Sequence, residues 1–194
     1  MLLPDNNAFT CNILYDFQDQ QLIYLPNFFQ KELFDECVSS IAWQQNRIRV
    51  FGKWHDEPRL TCWYGLPYTY SGISWPQREM IHALKEVCAS LQTLCNFPFN
   101  SVLANYYRDG KDSMGWHRDN EPEMDPLIIA SVSLGGARIF KMKNRRTNQR
   151  IDVLLESGSV LLMVNMQDEW LHSIPKSSAK NDPRINLTFR RIKS

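Results

Sequence analysis

A chain of 194 residues, of which 43% are hydrophobic and 22% are charged, has the size and composition of a globular domain, which excludes a disordered protein. No run of about eighteen apolar residues is present, so the sequence predicts no membrane-spanning helix and no membrane partner. The net charge of +1 does not by itself indicate a binding partner.

The charges are distributed unevenly along the chain. Residues 1–40 contain six acidic side chains and one basic side chain, whereas residues 137–151 contain six basic side chains and no acidic one. The six are Arg138, Lys141, Lys143, Arg145, Arg146 and Arg150. Such a segment is often only a solvated loop, but it can also present a basic face to phosphate groups.

The cysteines indicate the compartment. The five of them, Cys11, Cys37, Cys62, Cys88 and Cys95, are widely spaced and include no C-x-x-C pair. This pattern favours reduced, mostly buried thiols over a disulfide framework or a zinc site. The first residues also lack the features of a secretion signal. We therefore expect an intracellular protein, cytoplasmic in a bacterium or nuclear in a eukaryote, and we expect a monomer.

Two helices are predicted in the first half of the chain. Apolar residues recur at helical spacing in Gln30–Trp43 and in Pro76–Leu94, and in each segment they form one stripe. Ser74 and Pro76 are typical of the start of a helix. Both segments are interpreted as helices that pack on the core.

Short β-rich segments follow one another after Pro98. They are Ser101–Tyr107, Leu127–Leu134, Arg138–Lys143, Arg150–Leu155, Ser159–Asn165, Trp170–Ile174 and Ile185–Ile192. Closely spaced strands without intervening helices predict a sandwich or a jelly roll. We predict a single α+β domain, with a helix-containing N-terminal extension over about 1–98 and an all-β core over 99–194.

One constellation has the spacing of a metal site. His117 and Asp119 are two residues apart, so in an extended segment both side chains project to the same side. His172, in a later β-rich segment, can supply a third ligand. Two histidines and one carboxylate form the facial triad of non-haem Fe(II) oxygenases, although the same set also suits zinc.

The last predicted strand strengthens the interpretation. In the segment 184–190, four polar residues alternate with Ile, Leu and Phe. The four are Arg184, Asn186, Thr188 and Arg190. Two inward arginines indicate bound anions, since a guanidinium binds carboxylates in a bidentate manner, whereas an ordinary edge strand would keep both arginines in solvent. Asn105 and Tyr107 precede His117 and Asp119 in the chain and add polar groups on one face of a predicted strand.

These residues stand in a chain that resembles the AlkB family of nucleic-acid dealkylating dioxygenases, in particular the branch of the eukaryotic homologues two and three. The resemblance runs from about Tyr24 to Ile192. It includes 50–55 (VFGKWH), 68–72 (YTYSG), 105–107 (NYY), 117–119 (HRD) and 184–190 (RINLTFR). It implies a double-stranded β-helix whose N-terminal extension carries a nucleotide-recognition lid. It also implies Fe(II) at His117, Asp119 and His172, and O2 as co-substrate.

The resemblance further implies the contacts of the second co-substrate and of the nucleic acid. It places 2-oxoglutarate on Asn105, Tyr107, Arg184, Asn186, Thr188 and Arg190. It places substrate contacts at Phe51, Arg59, Tyr68, Tyr70, Ser71 and Glu121, with Phe51 as the aromatic residue of a hairpin that probes the duplex. The basic residues around Phe51 suit contact with the backbone.

The implied reaction is the oxidative dealkylation of N-alkylated bases in DNA, such as N1-methyladenine and N3-methylcytosine, with release of an aldehyde, succinate and CO2. The alternatives are the same chemistry on RNA or on a protein side chain, or a non-catalytic nucleic-acid-binding protein with a structural metal. One departure affects the lid: the segment Tyr64–Tyr68 is shorter than in the family and has no Asp after Gly65. Lesion range and strand preference therefore stay open.

Overall fold

The computed structural model describes residues 10–50, 52–70, 73–179 and 182–193. Within them lie two helices and fifteen strands. The helices are α1 (Leu33–Ser40) and α2 (His82–Cys95). The strands are β1 (Asn12–Phe17), β2 (Gln20–Leu25), β3 (Arg47–Val50), β4 (Lys53–Asp56), β5 (Leu60–Tyr64), β6 (Tyr68–Tyr70), β7 (Ile73–Trp75), β8 (Ser101–Tyr107), β9 (Met114–His117), β10 (Met124–Gly135), β11 (Arg138–Asn144), β12 (Arg150–Leu155), β13 (Ser159–Val164), β14 (Trp170–Ile174) and β15 (Arg184–Ile192). Neither helix is both long and apolar enough to cross a membrane.

Two antiparallel sheets carry the fold. The larger sheet has seven strands in the order β1-β2-β13-β10-β15-β8-β5, and the smaller has four in the order β12-β11-β14-β9. Two further pairs, β3–β4 and β6–β7, form separate hairpins. Strands distant in sequence are neighbours in both sheets, as in a double-stranded β-helix. The predicted jelly roll in an α+β chain is thereby confirmed.

The larger sheet separates two apolar cores, because successive side chains of a strand point to opposite faces. In β15, Ile185, Leu187 and Phe189 pack in the core that the sheet shares with α1 and α2. The residues between them point toward the smaller sheet, where a second core includes Phe140 and Trp170. The alternation predicted for this strand therefore places its polar face between the two sheets.

Both helices are shorter than predicted. α1 ends at Ser40, since Ile41 is extended, with φ −79° and ψ 133°. α2 begins at His82, because Arg78, which was predicted to be helical, forms an antiparallel β-bridge with Gly65. Gly65 has φ +120°, and a Cβ there would lie 2.6 Å from the Asn100 carbonyl oxygen, so glycine is required.

Three strands of the first half belong to the larger sheet. β2 pairs with β13, β1 pairs with β2, and β5 pairs with β8. The sheet therefore continues across the boundary at residues 98 and 99 that the sequence suggested between extension and core. This continuity was not predicted, because strand pairing depends on segments that are distant in sequence: β2 and β13 are more than a hundred residues apart.

We expect Phe189→Ala to lower the free energy of unfolding by about 3–5 kcal/mol, because the side chain is fully buried and its removal leaves a cavity. Phe17→Ala is the matched control, since Phe17 is 53% exposed and its loss should change the stability by no more than about 0.5 kcal/mol. Urea unfolding followed by circular dichroism measures both. Equal effects would contradict the two-core arrangement.

Candidate functional site

The three predicted metal ligands meet at one end of the space between the sheets. β9 ends at His117, and its register with β14 places His117 directly opposite His172. Asp119 follows two residues after His117. One ligand atom from each of the three side chains lies within 4.8 Å of the others. Nε2 of His117 is 4.0 Å from Oδ1 of Asp119, and Nε2 of His172 is 3.9 Å from Oδ2.

Neighbouring groups orient these side chains. Nδ1 of His117 lies 2.9 Å from the Gly115 carbonyl oxygen, to which it can donate, leaving Nε2 free for a metal. The backbone N–H of Asp119 donates to Oε1 of Gln167 at 3.1 Å. The ring of Phe140 stacks on His172 with a centroid separation of 5.3 Å. The loop that follows β9 is therefore tied to the loop that precedes β14.

The electrostatics hold the cluster in the protonation state that binds a cation. Burial alone favours a neutral Asp119, but the charge of Arg190 and the two imidazoles lower the pKa of this carboxyl group to about 2. Burial, together with the neighbouring His117, lowers the pKa of His172 to about 3. At neutral pH the cluster therefore offers one carboxylate and two neutral imidazoles, the form that metal coordination requires. Nδ1 of His172 has no hydrogen-bond partner among the described residues.

Two arginines of β15 lie at opposite ends of the space between the sheets. Arg184 is 1% exposed, and its Nη2 donates to Oγ of Ser133 at 2.9 Å. Its Nε and Nη1 have no partner in the described part of the chain, and no described carboxylate lies within 4.0 Å. Burial lowers the pKa of Arg184 to about 10, while Tyr107, whose ring lies 5.3 Å away, opposes this shift. A buried cation with unpaired N–H groups calls for an anion.

Arg190 has a different environment. Its Nη2 is 3.0 Å from Oδ2 of Asp119, and its Nε has no hydrogen-bond partner among the described residues. Burial would lower the pKa of Arg190, but the charge of Asp119 outweighs it and raises the pKa. Arg190 therefore lies beside the metal cluster, whereas Arg184 lies at the other end of the same strand face.

A cavity between the two sheets connects the two ends. All nine side chains predicted to bind metal or 2-oxoglutarate line it. The register of β8 and β15 explains the arrangement, because Asn105 lies opposite Asn186 and Tyr107 lies opposite Arg184. The structure thus brings together residues that are separated by up to 85 positions, 105 to 190, in the sequence.

Several residues that line this cavity are not among those predicted from the sequence. Leu103, Ser131, Phe140, Met163 and Ser173 also line it. A signal existed for Ser131 and for its neighbour Ser133, because both hydroxyls interrupt an otherwise apolar strand, β10. Ser131 accepts a hydrogen bond from Nδ2 of Asn186 at 2.8 Å. No pattern in the sequence distinguishes Phe140 or Met163 from ordinary core residues.

The basic segment does not act as one surface. Arg138 is 3% exposed, and its guanidinium donates to three backbone carbonyl oxygens, those of Asp109, Asp112 and Pro175. Lys141 pairs with Asp152 at 2.7 Å. Lys143 and Arg150 lie directly opposite each other on β11 and β12, and neither forms an ion pair with a described residue. Only part of this segment can therefore face a partner.

Of the residues predicted to contact nucleic acid, Tyr68 and Glu121 lie at the cavity. Tyr68 lines it, stacks on Trp63 with centroids 4.6 Å apart and is hydrogen-bonded to Glu121. Burial raises the pKa of Glu121. Phe51 and Ser71 lie outside the described residues, and of Tyr70 only the place in β6 is described.

Arg59 is not on the surface where the basic segment around Phe51 placed it. It is 2% exposed, and its Nη2 pairs with Glu57 at 3.0 Å. Its Nε donates to Oδ1 of Asn105 at 2.7 Å. The counter-ion Glu57 compensates the charge and allows Arg59 to be buried beside the cavity.

The family follows from comparison with known proteins. A model of the 2OG-Fe(II) oxygenase superfamily matches residues 21–190. The chain belongs to this superfamily. Its members use Fe(II), with 2-oxoglutarate and O2 as co-substrates, and the cluster of His117, Asp119 and His172 has the donor set for that ion.

The relatives confirm the resemblance to the AlkB family. The mouse alpha-ketoglutarate-dependent dioxygenase alkB homolog 3 is 34% identical over 173 residues, which cover 82% of this chain and 60% of the relative. The human DNA oxidative demethylase ALKBH2 is 37% identical over 177 residues, which cover 83% of this chain and 68% of the relative. The chain thus spans about 60% of the length of the first of these relatives.

A solved structure supports the fold alone. The protein described as "The structure of OsALKBH1" is similar with a TM-score of 0.56 and 16% sequence identity, over 93% of this chain and 100% of that chain. An identity this low leaves the roles of individual side chains to the geometry of the site.

We expect His172→Ala and Asp119→Ala to abolish stoichiometric binding of Co(II) by the protein, because each change removes one of three ligands. The absorption of bound Co(II), recorded without oxygen, measures this directly. His82→Ala is the control, since His82 is exposed on α2 and, among the described residues, pairs only with Glu86. Retention of the Co(II) spectrum in both ligand variants would contradict the assignment.

Proposed function

We propose that this chain is an Fe(II)- and 2-oxoglutarate-dependent dioxygenase that removes N-alkyl groups from bases of DNA. The observation that carries the proposal is the content of one cavity. It contains two imidazoles and a carboxylate that converge on one point, and a buried arginine of which two nitrogens lack partners among the described residues. A metal-binding protein without catalysis has no need of the second feature.

The residues of the cavity fit 2-oxoglutarate. Arg184 would bind the carboxylate remote from the keto group, since its Nε and Nη1 have no partner among the described residues and no described carboxylate lies within ion-pair distance to repel an anion. Arg190 would support the carboxylate nearer the metal cluster, beside Asp119. Asn105, Tyr107, Asn186 and Thr188 supply further polar groups along the cavity wall. When bound, iron, 2-oxoglutarate and O2 would supply the oxidation that turns an N-alkyl group into an aldehyde, while 2-oxoglutarate is converted to succinate and CO2.

The mouth of the cavity suits a cationic base. Glu121 offers a carboxylate whose Oε2 has no partner among the described residues, and Tyr68 holds it through a hydrogen bond. N1-methyladenine and N3-methylcytosine carry a positive charge that this carboxylate and the ring of Tyr68 can stabilise. A base must leave the stack to reach the cavity, because the metal cluster lies between the sheets. Phe51, Tyr70 and Ser71 are proposed as further contacts by resemblance.

Two exposed surfaces support a nucleic-acid substrate. On hairpin β3–β4, Trp54 is 56% exposed, and the Arg47 guanidinium lies 6.0 Å from the centre of its ring. On the smaller sheet, Lys143 and Arg150 are opposed like charges. Such a pair is unfavourable unless an anion lies nearby, and phosphate groups supply one.

We expect the protein to release formaldehyde and succinate from oligonucleotides that contain a single N1-methyladenine or N3-methylcytosine, in a reaction that requires both Fe(II) and 2-oxoglutarate. Matched DNA and RNA strands, single and paired, identify the polymer and the strand preference. Unmethylated strands are the control. Turnover of RNA alone would favour the RNA alternative, and succinate release unaffected by any methylated strand would contradict base dealkylation.

We expect Arg184→Gln to weaken 2-oxoglutarate binding by at least about a hundredfold, because a buried charge-assisted pair contributes several kcal/mol. Arg191→Gln is the control on the same strand: its side chain is 46% exposed and pairs with Asp125 outside the cavity. The 2-oxoglutarate-induced rise in melting temperature of the Mn(II)-loaded protein measures binding without turnover. Equal rises in the two variants would contradict the role of Arg184.

A further inference from the structure

A buried carboxylate lies outside the cavity, at the base of hairpin β3–β4. Glu57 is 4% exposed, and its backbone N–H donates to the Asn46 carbonyl oxygen at 2.8 Å, which closes the hairpin. Both side-chain oxygens are engaged: Oε1 accepts from Nη2 of Arg59 at 3.0 Å, and Oε2 accepts from Oγ1 of Thr61 at 2.8 Å. A buried ion pair of this kind is weak support for stability, because desolvation offsets much of the attraction.

The pair leads to the cavity through one further hydrogen bond. Nε of Arg59 donates to Oδ1 of Asn105 at 2.7 Å. A guanidinium has donors only, so the atom of Asn105 that faces it must be the oxygen. The amide nitrogen of Asn105 is consequently turned away from Arg59 and lies 3.4 Å from Oδ1 of Asn186. The ion pair therefore fixes which end of the Asn105 amide faces the cavity.

The orientation of this amide matters for the ligand. Asn186 supports the same orientation: its Nδ2 donates to Oγ of Ser131 at 2.8 Å, so its Oδ1, which accepts from Thr188 at 2.9 Å, faces the amide nitrogen of Asn105 at 3.4 Å. An amide nitrogen facing the cavity can donate to a carboxylate or keto oxygen, whereas an amide oxygen would repel it. Without Arg59, this long contact to Asn186 is the only hydrogen bond among the described residues that holds the Asn105 side chain, and its orientation is less firmly fixed.

We propose that Glu57 is a positioning residue for 2-oxoglutarate: it holds Arg59, and Arg59 holds the amide of Asn105 with its donor toward the co-substrate. The inference rests on the proposed function of the cavity. Glu57 itself does not line the cavity. Its effect on the co-substrate passes entirely through the two residues that it orders.

The test is calorimetric titration of 2-oxoglutarate into the Mn(II)-loaded protein, for the wild type, Glu57→Gln, Asn105→Ala and the double variant. We expect Glu57→Gln to weaken binding about tenfold, the effect of losing one charged hydrogen bond. Because Glu57 acts through Asn105, the double variant should bind no more weakly than Asn105→Ala alone. The affinity for Mn(II) should not change in Glu57→Gln.

Each outcome distinguishes this inference from the proposed function. A wild type that does not bind 2-oxoglutarate would contradict the proposed function itself. A wild type that binds, with unchanged affinity in Glu57→Gln or with losses that add in the double variant, would overturn only the positioning role. Glu169→Gln is the matched control, since this glutamate also pairs with an arginine, Arg146 at 3.2 Å, but lies away from the cavity.

A second variant covers the case in which Glu57→Gln does not fold. Thr61→Val keeps a β-branched side chain in β5 and removes only the hydroxyl that donates to Glu57. We expect it to weaken 2-oxoglutarate binding in the same direction, by a smaller factor, with kcat unchanged and KM for 2-oxoglutarate raised. An unchanged KM in a folded Thr61→Val protein would overturn the inference, and so would a fall in kcat alone.

Discussion

The site depends on charged groups that are held between two sheets without the solvent that would normally stabilise them. Arg184 is the extreme case, because it is almost fully buried, its described neighbours include no carboxylate within ion-pair distance, and two of its nitrogens lack partners among the described residues. Arg190 and Asp119 at the opposite end of the cavity compensate each other. The cavity is therefore electrostatically asymmetric: one end carries a positive charge without a counter-ion among the described residues, and the other has a carboxylate that can bind a cation.

The sheets maintain this asymmetry through strand register. Antiparallel pairing of β8 with β15 aligns Asn105 with Asn186 and Tyr107 with Arg184, while pairing of β9 with β14 aligns the two histidines. A shift of one residue between β8 and β15 would turn the polar face of the strand toward the helices. The apolar residues of β15 prevent this, since Leu187 and Phe189 are buried against the helices on the other face. The packing of the core thus determines where the charges lie.

Polar groups around the cavity form a network and not a set of separate contacts. Glu57, Arg59, Asn105 and Asn186 connect the base of the β3–β4 hairpin to the strand that carries both arginines. Buried polar networks hold side chains in one arrangement only when every member has its partner. The residues with unpaired atoms, Arg184, Arg190, Glu121 and His172, border the space where ligands of the proposed reaction would lie. In one cavity, the hydrogen-bonded Asn105 and Asn186 therefore lie beside arginines that still have unpaired donors.

The sequence by itself determined the local features. The alternation in β15 and the spacing of His117 and Asp119 are properties of single extended segments, so strand periodicity sufficed to predict which residues face the site. Six of the seven strands predicted after residue 98 have boundaries within one residue of those observed, because turns and β-rich composition delimit them locally. Periodicity within one segment cannot show which distant residues meet in the site. The family resemblance supplied those partners.

Tertiary structure decided everything that depends on contacts between distant segments. It placed β1, β2 and β5 in the larger sheet, shortened both helices, and buried Arg59 and Arg138 where the charge pattern alone suggested exposed basic surfaces. A side chain's burial is set by the partners that surround it, and Glu57 and the backbone carbonyl oxygens that bind these two arginines are identified only once the chain is folded. The unsatisfied hydrogen-bond donors of Arg184 are likewise visible only in the folded chain. No local pattern in the sequence can show them, because they are defined by what lies beside the side chain in space.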